Sequence, residues 1–575
     1  GIQIILKTIF VFEKFKVPAM YLSDATQGVN IRSELDDQLE KSVAFPSPIA
    51  LASTWNKDLA GDYAKACHDN IHERIAKLLG VRAVGKVQNI KIAISSAPSN
   101  ISYFYGTDAN SQNINRLVHL SLTDFSKQMT FFCRFCESYS ERMDGDKHII
   151  NFKLKKGIKF WDQTEITAND VVKSWEYLAK NDVIKSKYQP SFSSIENVII
   201  KNPYEVEFIY KAFNVDNLSN LTLLKIVKIK KEDITSSMAA DKIIGAGPYK
   251  FKKIDELEIV LESVDGSRPD LSFKVVKDET TLALKLINKE VDLSLAAISP
   301  RKYMWLKNNI KKLSFFESEG TNYQYIGINH KNEFLKDREV RKALSLLIPR
   351  KKISKYKLKG TVTLSSSMFS KAFSDFYVGP LFDEYNPEEA RKILKSVGFK
   401  KNENGILEKS GKPFSLSWRV SNNKSAIETA ESIKKYYVKE GIEVDLMVQE
   451  WGTFMRNYKS GNFDMVMSQW VGFTGPGLLK YLFHSDTFPP NGANRGFFVN
   501  KDFDKYIDLA TSEIDSNKRN GLYREALKIS NKEYSYLNLW HPNIIWIGRS
   551  CLQGIDVQPN GSFLPLLNMV DNCGK

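Results

Sequence analysis

The stretch DGDKHIINFKLKKGIKFWDQTEITANDVVKSWEYLAK, residues Asp144–Lys180, carries the clearest secondary-structure pattern in the chain. It opens with an Asp144-Gly145 turn, after which apolar residues alternate at Ile150, Phe152 and Leu154. This period of two predicts a half-buried strand after a hairpin turn. Lys156-Gly157 predicts a second turn, followed by a short strand over Ile158–Phe160.

The second half of the stretch predicts a helix. Thr167 can cap its first turn through the hydroxyl, with Asp170 at the fourth position as in a capping box. Apolar residues then recur at helical spacing, at Val171, Val172, Trp175 and Leu178. Hairpin, capped helix and apolar face together indicate an α+β domain.

The order DGD…FKLKKGIKFWD…TANDVVKS closely resembles the signature segment of the family 5 extracellular solute-binding proteins. These are large receptors that deliver peptides, nickel and some sugars or opines to ABC importers. The resemblance implies an α/β, two-lobed periplasmic-binding-protein-like fold of class II, in the three-domain form of the oligopeptide receptors. It covers the chain from about Asn89 to the carboxyl terminus.

Further elements that match the family follow in order. They are strands at Ile90–Ile94, Tyr325–Asn329 and Gly441–Val444, a strand that Gly461–Met465 leads into Gln469-Trp470, a helix and strand over Thr280–Asp292, and helix starts at Asp337–Leu344, Asn386–Ala390 and Arg519–Tyr523. Leu537–His541 is expected to return the chain to lobe I. The segment IGAGPYKF, Ile244–Phe251, matches the family's G-T-G-P-Y element with Ala246 in place of Thr. We expect its glycines to adopt positive φ in a turn that Pro248 fixes.

A chain of 575 residues exceeds one hydrophobic core, so several domains are expected. The resemblance implies lobe I at 89–277 with an inserted small domain at about 113–200, lobe II at 278–515, and a return to lobe I at 516–575. The hinge strands are expected near Asp278 and between Asn500 and Asn520.

Residues 1–88 lie outside this pattern, and residues 1–85 resemble the start of a family 3 glycoside hydrolase barrel. The resemblance rests on a barrel strand at Ala19–Leu22, on Asp24 where those enzymes hold a sugar hydroxyl, and on Phe45-Pro46 and Ala52–Asn56. A (β/α)₈ barrel needs about 200–250 residues to close, so we interpret this segment as a truncated fragment or a gene-model junction, forming an incomplete (β/α) barrel.

Composition excludes several classes of protein. The formal net charge is +15, but the basic residues are dispersed, which disfavours a nucleic-acid role. No apolar run reaches the ~18–20 residues of a spanning helix, because Lys7 and Glu13 interrupt the apolar amino-terminal segment. That segment is expected to form a buried strand, and it lacks the features of a signal peptide.

No catalytic or metal-binding set is recognisable, and no cofactor is expected. Cys133 and Cys136 form a CxxC without a second ligand pair, while Cys551 and Cys573 are free to pair if the chain is exported. Cys67 remains as the odd cysteine. His484 and His541 are interpreted as hydrogen-bonded structural residues, since no HExxH or paired spacing accompanies them.

Candidate ligand-binding residues come from the resemblance. Trp451 and Trp470 match tryptophans that line the interlobe cleft in peptide-binding members. Tyr105 follows the first strand of lobe I, and Asn494-Arg495 lies in a segment that faces the cleft in relatives. An arginine there can pair with a carboxylate through two hydrogen bonds.

One position departs from the family. Many peptide-binding relatives hold the α-amino group with an aspartate three residues after the second tryptophan, and this chain has Phe473 there. Burying an ammonium without a carboxylate is strongly disfavoured. The ligand is therefore blocked at its amino end, held by another acid such as Asp486, or not a peptide.

The sequence as a whole predicts the substrate-binding component of an ABC importer, which is not an enzyme. It is expected to capture a peptide or similar small solute by hinge closure, to act as a monomer, and to present the ligand to a membrane permease. The family implies a periplasmic or membrane-associated extracytoplasmic location. Two alternatives stay open: a family 3 β-glycosidase fragment fused to a binding module, and a signalling or chaperone-like receptor that uses the same cleft.

Overall fold

A computed structural model of the chain describes residues 89–379 and 383–573, together with three short strands before them. The chain divides into two compact units, Gly1–Gln88 and Asn89–Lys575. In the first unit the strands Tyr21–Ser23, Gly28–Arg32 and Val43–Ala44 pair antiparallel. Neighbouring strands of a (β/α)₈ barrel are parallel, so this pairing contradicts the predicted barrel strand. Asp24, Phe45-Pro46, Ala52–Asn56, Cys67 and the apolar amino-terminal segment lie outside the described residues.

The predicted hairpin and helix are both present in the second unit. Strands Cys136–Asp144 and Lys147–Leu154 pair antiparallel around Gly145, whose φ is +60°. Thr167 and Asp170 form a capping box on the helix Ala168–Ala179, and the Thr167 N–H donates to the Asp170 carboxylate at 2.8 Å. Only a single bridge between Lys159 and Glu165 replaces the predicted strand at Ile158–Phe160.

This helix packs on a four-stranded antiparallel sheet. The strands lie in the order Ile195–Asn202, Glu205–Tyr210, Lys147–Leu154 and Cys136–Asp144. The buried helix residues Val171, Trp175 and Leu178 join a hydrophobic core of residues between Leu122 and Ile243, to which Tyr103 and Phe104 also belong. We call residues 122–243 the small domain. It includes the hairpin of Thr123–Phe125 and Phe131–Cys133.

Lobe I is built on a seven-stranded mixed sheet. Its strands lie in the order Tyr249–Ile254, Glu258–Ser263, Asp270–Val275, Asn89–Ile94, Leu293–Ser294, Ile544–Arg549 and Leu313–Ser318. Asn89–Ile94 pairs in parallel with both of its neighbours, Asp270–Val275 and Leu293–Ser294, so these three strands are parallel to one another. The predicted first strand, with Ile90 and Ile92 fully buried, is thus the centre of the sheet.

Lobe II is built on a six-stranded mixed sheet. Its strands lie in the order Val362–Leu364, Tyr536–Pro542, Tyr323–Ile328, Met465–Trp470, Ser415–Ser421 and Glu443–Gln449. The last three are parallel to one another. Trp418 and Tyr437 fill the core beneath them, and both are fully buried.

The chain crosses between the two sheets later than the sequence predicted. It leaves lobe I after Ser318 and enters lobe II at Tyr323, and it returns between Pro542 and Ile544. The region after Asp278 stays in lobe I because the helix Glu279–Ile287 leads to two further strands of that sheet. The region 500–520 contains helix residues that pack in lobe II, and Leu537–His541 belongs to the lobe II sheet.

Thirteen α-helices are present in the described residues. They are Ala109–Val118, Ala168–Ala179, Asn217–Leu221, Glu279–Ile287, Pro300–Asn309, Arg338–Leu346, Arg350–Lys352, Pro387–Ser396, Lys424–Lys439, Trp451–Ser460, Leu478–Phe483, Lys501–Ser512 and Ser516–Lys532. Short strands outside the larger sheets are Leu120–Ser121, Lys225–Ile226, Lys228–Ile229, Ile243–Ile244, Lys400–Lys401, Leu407–Lys409, Lys412–Pro413, Leu552–Gln553 and Val570–Asp571. In the part of the chain that the structure describes, no helix is long and apolar enough to span a membrane.

The glycines of the IGAGPYKF segment act differently from the prediction. Gly245 and Gly247 do not have positive φ. A Cβ atom at Gly247 would instead collide with the backbone of Leu117 and Val118, whose carbonyl accepts the Gly247 N–H at 2.9 Å. These glycines are therefore required for the close approach of two backbone segments.

Within the described residues, two disulfides close short segments of the chain. Cys133 pairs with Cys136, and Cys551 pairs with Cys573, with a Cα–Cα distance of 4.9 Å in each case. The CxxC is thus a bridged pair next to the small-domain hairpin. The second bridge ties the carboxyl-terminal segment back to the end of the lobe I strand Ile544–Arg549.

Candidate interlobe binding site

The carboxyl ends of the parallel strands define the cleft. Ligands of open α/β sheets bind outside these ends. In lobe II, Trp470 pairs with Tyr323, so the chain enters this lobe at the carboxyl end of Met465–Trp470. In lobe I, Ser294 pairs with Ile547, so the strand Ile544–Arg549 also begins at the carboxyl-end edge. Both crossings therefore join the two edges that face the cleft.

Trp451 lies at the carboxyl-end edge of lobe II. It is the first residue of the helix Trp451–Ser460, directly after the strand Glu443–Gln449 and the capping residue Glu450. Its side chain is 59% exposed and stacks on Phe454 at 5.8 Å. An exposed indole in this place offers a flat apolar face to a ligand.

Trp470 ends another of the parallel strands, at the same edge, with Ser415–Ser421 between it and the strand before Trp451. Its ring is parallel to that of Tyr325 at 6.4 Å, and Tyr325 stacks on Tyr536 at 4.1 Å. The Tyr325 hydroxyl is hydrogen-bonded to the hydroxyl of Tyr458. Burial raises the pKa of Tyr325 and Tyr536 far above the usual range, so both phenols stay neutral.

Arg495 completes this aromatic wall. Its guanidinium carbon lies 4.1 Å from the centre of the Tyr458 ring and 5.3 Å from that of Trp470. Among residues 89–379 and 383–573, its side chain has neither a hydrogen-bond nor an ion-pair partner. A guanidinium that stacks on aromatic rings and keeps its N–H groups free is suited to a carboxylate.

Asn494 does not contribute to the site, contrary to the prediction. It is buried, and its amide donates to the backbone carbonyls of Phe483, His484 and Phe498 at 3.1, 3.1 and 2.7 Å. Its carbonyl oxygen accepts the Phe498 N–H at 2.9 Å. With these bonds the side chain fixes the loop that carries Arg495 and has no group left for a ligand.

Phe473 is also a packing residue. It is 8% exposed and lies 5.6 Å from Phe373 and 5.7 Å from Phe369, ring centre to ring centre. The rings belong to a large hydrophobic cluster that combines lobe II residues with residues of the small domain. Asp486, the alternative acid proposed for an amino group, has an 85% exposed side chain 3.7 Å from the His484 ring.

Tyr105 is separated from the aromatic wall. Its hydroxyl donates to the carbonyls of Ile184 and Ser236 at 2.8 and 3.1 Å. The ring lines a cavity of about 750 Å³ with Lys187 and Phe251, and all lining residues belong to lobe I or the small domain. The structure therefore does not bring Tyr105 together with Trp451, Trp470 and Arg495.

His484 and His541, the two histidines in segments that match the family, both interact with other groups of the protein. His541 is buried between the carbonyls of Asn322 and Ser367, and burial lowers its pKa to about 4. His484 is buried with its Nε2 3.4 Å from Asp508. Among the described residues, the cysteines of the one group spaced for a metal, Cys551, Asp571 and Cys573, are in a disulfide.

Sequence reasoning missed the three tyrosines of the wall. Tyr458 had a signal, because Trp451, Phe454 and Tyr458 share one face of a helix at intervals of three and four. Tyr325 lies in the strand YQYIGI, where a tyrosine that faces inward is normally interpreted as a residue of the hydrophobic core. Tyr536 has no local signal, since its partner Tyr325 is distant in sequence.

Comparison with known proteins identifies the family. The model of bacterial extracellular solute-binding proteins, family 5 (middle), matches residues 136–488. The chain belongs to this family. As a family 5 solute-binding protein it is the substrate-binding component of an ABC importer.

Similar proteins support this assignment. The oligopeptide-binding protein AppA of Bacillus subtilis (strain 168) is 28% identical over 488 residues, which cover 80% of this chain and 88% of that protein. The solved structure of AppA from Bacillus subtilis in complex with a nonapeptide has a TM-score of 0.62 at 25% identity, over 84% of this chain and 100% of that chain. HbpA2 from Haemophilus parasuis shares the fold, with a TM-score of 0.72 at 22% identity, over 84% of this chain and 100% of that one. The glycoside hydrolase resemblance gains no support from these matches.

Proposed function

We propose that this receptor binds a peptide or a peptide-like solute with a free carboxylate between its two lobes. The ligand lies against the aromatic wall of Trp451, Trp470 and Tyr458, and Arg495 binds its carboxylate. Two-lobed receptors of this kind enclose the ligand by rotation about hinge segments. The closed receptor then presents the ligand to a membrane permease.

The observation that carries the proposal is the state of Arg495. Its guanidinium is held over two aromatic rings and lacks an anionic partner among the described residues. A half-buried cation without a counterion favours binding of an anion from outside. The names of its relatives, an oligopeptide-binding and a dipeptide-binding protein, agree with a peptide as the source of that anion.

The remaining features of the proposal follow from the family. We expect one chain to be sufficient, because the wall and the two crossings belong to a single chain. We expect an extracytoplasmic location, since two disulfides persist more readily in an oxidising compartment. Within the chain, the small domain is inserted in lobe I, and both lobes move as bodies about the segments 318–323 and 542–544.

A thermal-shift screen tests the function. The purified chain is heated with a peptide pool, the same pool amidated at the carboxyl end, oligosaccharides, and Ni²⁺. A ligand at 100 times its Kd adds about 2.7 kcal/mol to the free energy of unfolding, which raises the melting temperature measurably. We expect a shift with the free peptide pool and a smaller one with the amidated pool. A shift with oligosaccharides or Ni²⁺ alone would contradict the proposal.

A further inference from the structure

The small domain contacts lobe II directly through apolar side chains. Phe125, Met129, Phe131 and Val215 of the small domain belong to one hydrophobic cluster with Phe473 and Leu479 of lobe II. We call this contact the lobe clasp. Because it joins parts of the chain on opposite sides of the cleft, it exists only while the lobes are close together.

On the small-domain side, the clasp is the inner face of a hairpin. Phe131 packs into the cluster, with its ring 4.9 Å from that of Phe125 across the two strands. The next residue, Phe132, points to the other face and is 38% exposed. This alternation is that of a strand with one face buried. The hairpin thus presents one apolar face to lobe II.

On the lobe II side, the clasp includes Phe473. This residue lies in the loop that follows Trp470, at the cleft edge of the sheet. It is backed by Phe369 and Phe373, so that three rings form one apolar surface.

Residues at the margin of the clasp also form contacts between the small domain and lobe II. Arg519 of lobe II lies over the ring of Phe213, at 5.4 Å. A Cβ atom at Gly477 would collide with the carboxylate of Asp216, so this glycine allows the small domain to approach the loop after Phe473. Close packing on both the apolar and polar sides indicates a fitted interface rather than a chance contact.

We infer that the lobe clasp holds this receptor closed in the absence of ligand, with Phe473 as the positioning residue for closure. The inference rests on the two-lobed binding function proposed above and adds how closure is controlled. A ligand shifts the equilibrium between open and closed states only by its differential affinity for them. Here burial of the clasp residues favours the closed state before any ligand is present. The clasp therefore raises the apparent affinity, since the binding-competent state is already populated.

Small-angle X-ray scattering of the ligand-free protein tests the inference. The chain is dialysed to remove copurifying ligand, and the radius of gyration is measured for the wild type, Phe131→Ser, Phe473→Ser and Phe132→Ser. Phe132→Ser is the matched control, because it changes the adjacent phenylalanine on the exposed face of the same hairpin. Melting temperatures establish that each variant is folded.

We expect the wild type and Phe132→Ser to share one compact radius of gyration, with Phe131→Ser and Phe473→Ser larger. An unchanged radius for Phe131→Ser in a folded protein would overturn the inference. Should Phe473→Ser fail to fold, Phe131→Ser still decides the question from the other side of the contact. The measurement needs no ligand, so failure of the clasp is distinguishable from failure of peptide binding.

Discussion

Arg495 lies over the ring of Tyr458, with its guanidinium carbon 4.1 Å from the ring centre. The loop that places it there is fixed by the buried neighbour Asn494, whose side chain donates to three backbone carbonyls and accepts one backbone N–H. Asn494 therefore fixes the loop, while the guanidinium of Arg495 remains available to bind a carboxylate. This difference is the basis for a specific test of the carboxylate site.

Replacing Arg495 should weaken binding of peptides that end in a free carboxylate. Hydrogen bonds to charged groups contribute about 1.5–3 kcal/mol, so Arg495→Gln should raise Kd roughly 10- to 100-fold in isothermal titration. Peptides amidated at the carboxyl end serve as the control and should bind the wild type and the variant equally. An equal loss for amidated peptides would show that Arg495 acts only through packing.

Trp451 should contribute to affinity without contributing to stability. Its side chain is 59% exposed, so Trp451→Ala removes a face for the ligand and little internal packing. An aromatic contact contributes about 0.5–1.5 kcal/mol, which predicts a roughly 2- to 10-fold rise in Kd with an unchanged melting temperature. Trp305, 52% exposed on the helix Pro300–Asn309 of lobe I, is the matched control. Equal effects of Trp305→Ala and Trp451→Ala on Kd would contradict the site.

A free amino end should matter little for binding. Phe473 is buried in an aromatic cluster and offers no carboxylate, and Asp486 is 85% exposed. We expect N-acetylated and free peptides of one sequence to have similar Kd values in the same titration, and Asp486→Asn to leave both unchanged. A large loss of affinity on acetylation would mean that another acid holds the amino group.

Local pattern accounts for much of the fold, and long-range packing accounts for what was missed. The capping box of Thr167 and Asp170 and the central strand at Ile90–Ile94 depend on near neighbours, and both were predicted. The first crossing was predicted too early because Leu293–Ser294, which keeps the chain in lobe I, is a two-residue strand with no periodicity in the sequence. The resemblance indicated Trp470 and Arg495, but the partner Tyr536 comes from a distant strand that only the fold brings near.

The stability of the closed chain should depend on the protonation of Asp216. Burial raises the pKa of its carboxyl, so at neutral pH the native state buries an ionised group at a cost. As pH falls through the raised pKa, the native state takes up a proton before the unfolded state does, and stability is recovered. Asp216→Asn should therefore melt higher than the wild type at pH 7.

This difference should shrink as the pH falls through the raised pKa and vanish below the usual carboxyl pKa of 3.8, because the wild-type group is then protonated in both states. The exposed loop residue Asp146 provides the control, and Asp146→Asn should show no such pH-dependent gain. Melting curves for the three proteins at several pH values give the comparison. A constant difference for Asp216→Asn at every pH would contradict the assigned burial effect.

The central claim is that a peptide carboxylate is bound between the lobes at Arg495. The most direct measurement is a crystal structure of the chain with a peptide selected from the thermal-shift pool. We expect a peptide along Trp451 and Trp470, with its carboxylate oxygens within hydrogen-bonding distance of the Arg495 guanidinium. A ligand bound outside the interlobe cleft, such as in the lobe I cavity beside Tyr105, or bound between the lobes without contact to Arg495, would contradict it.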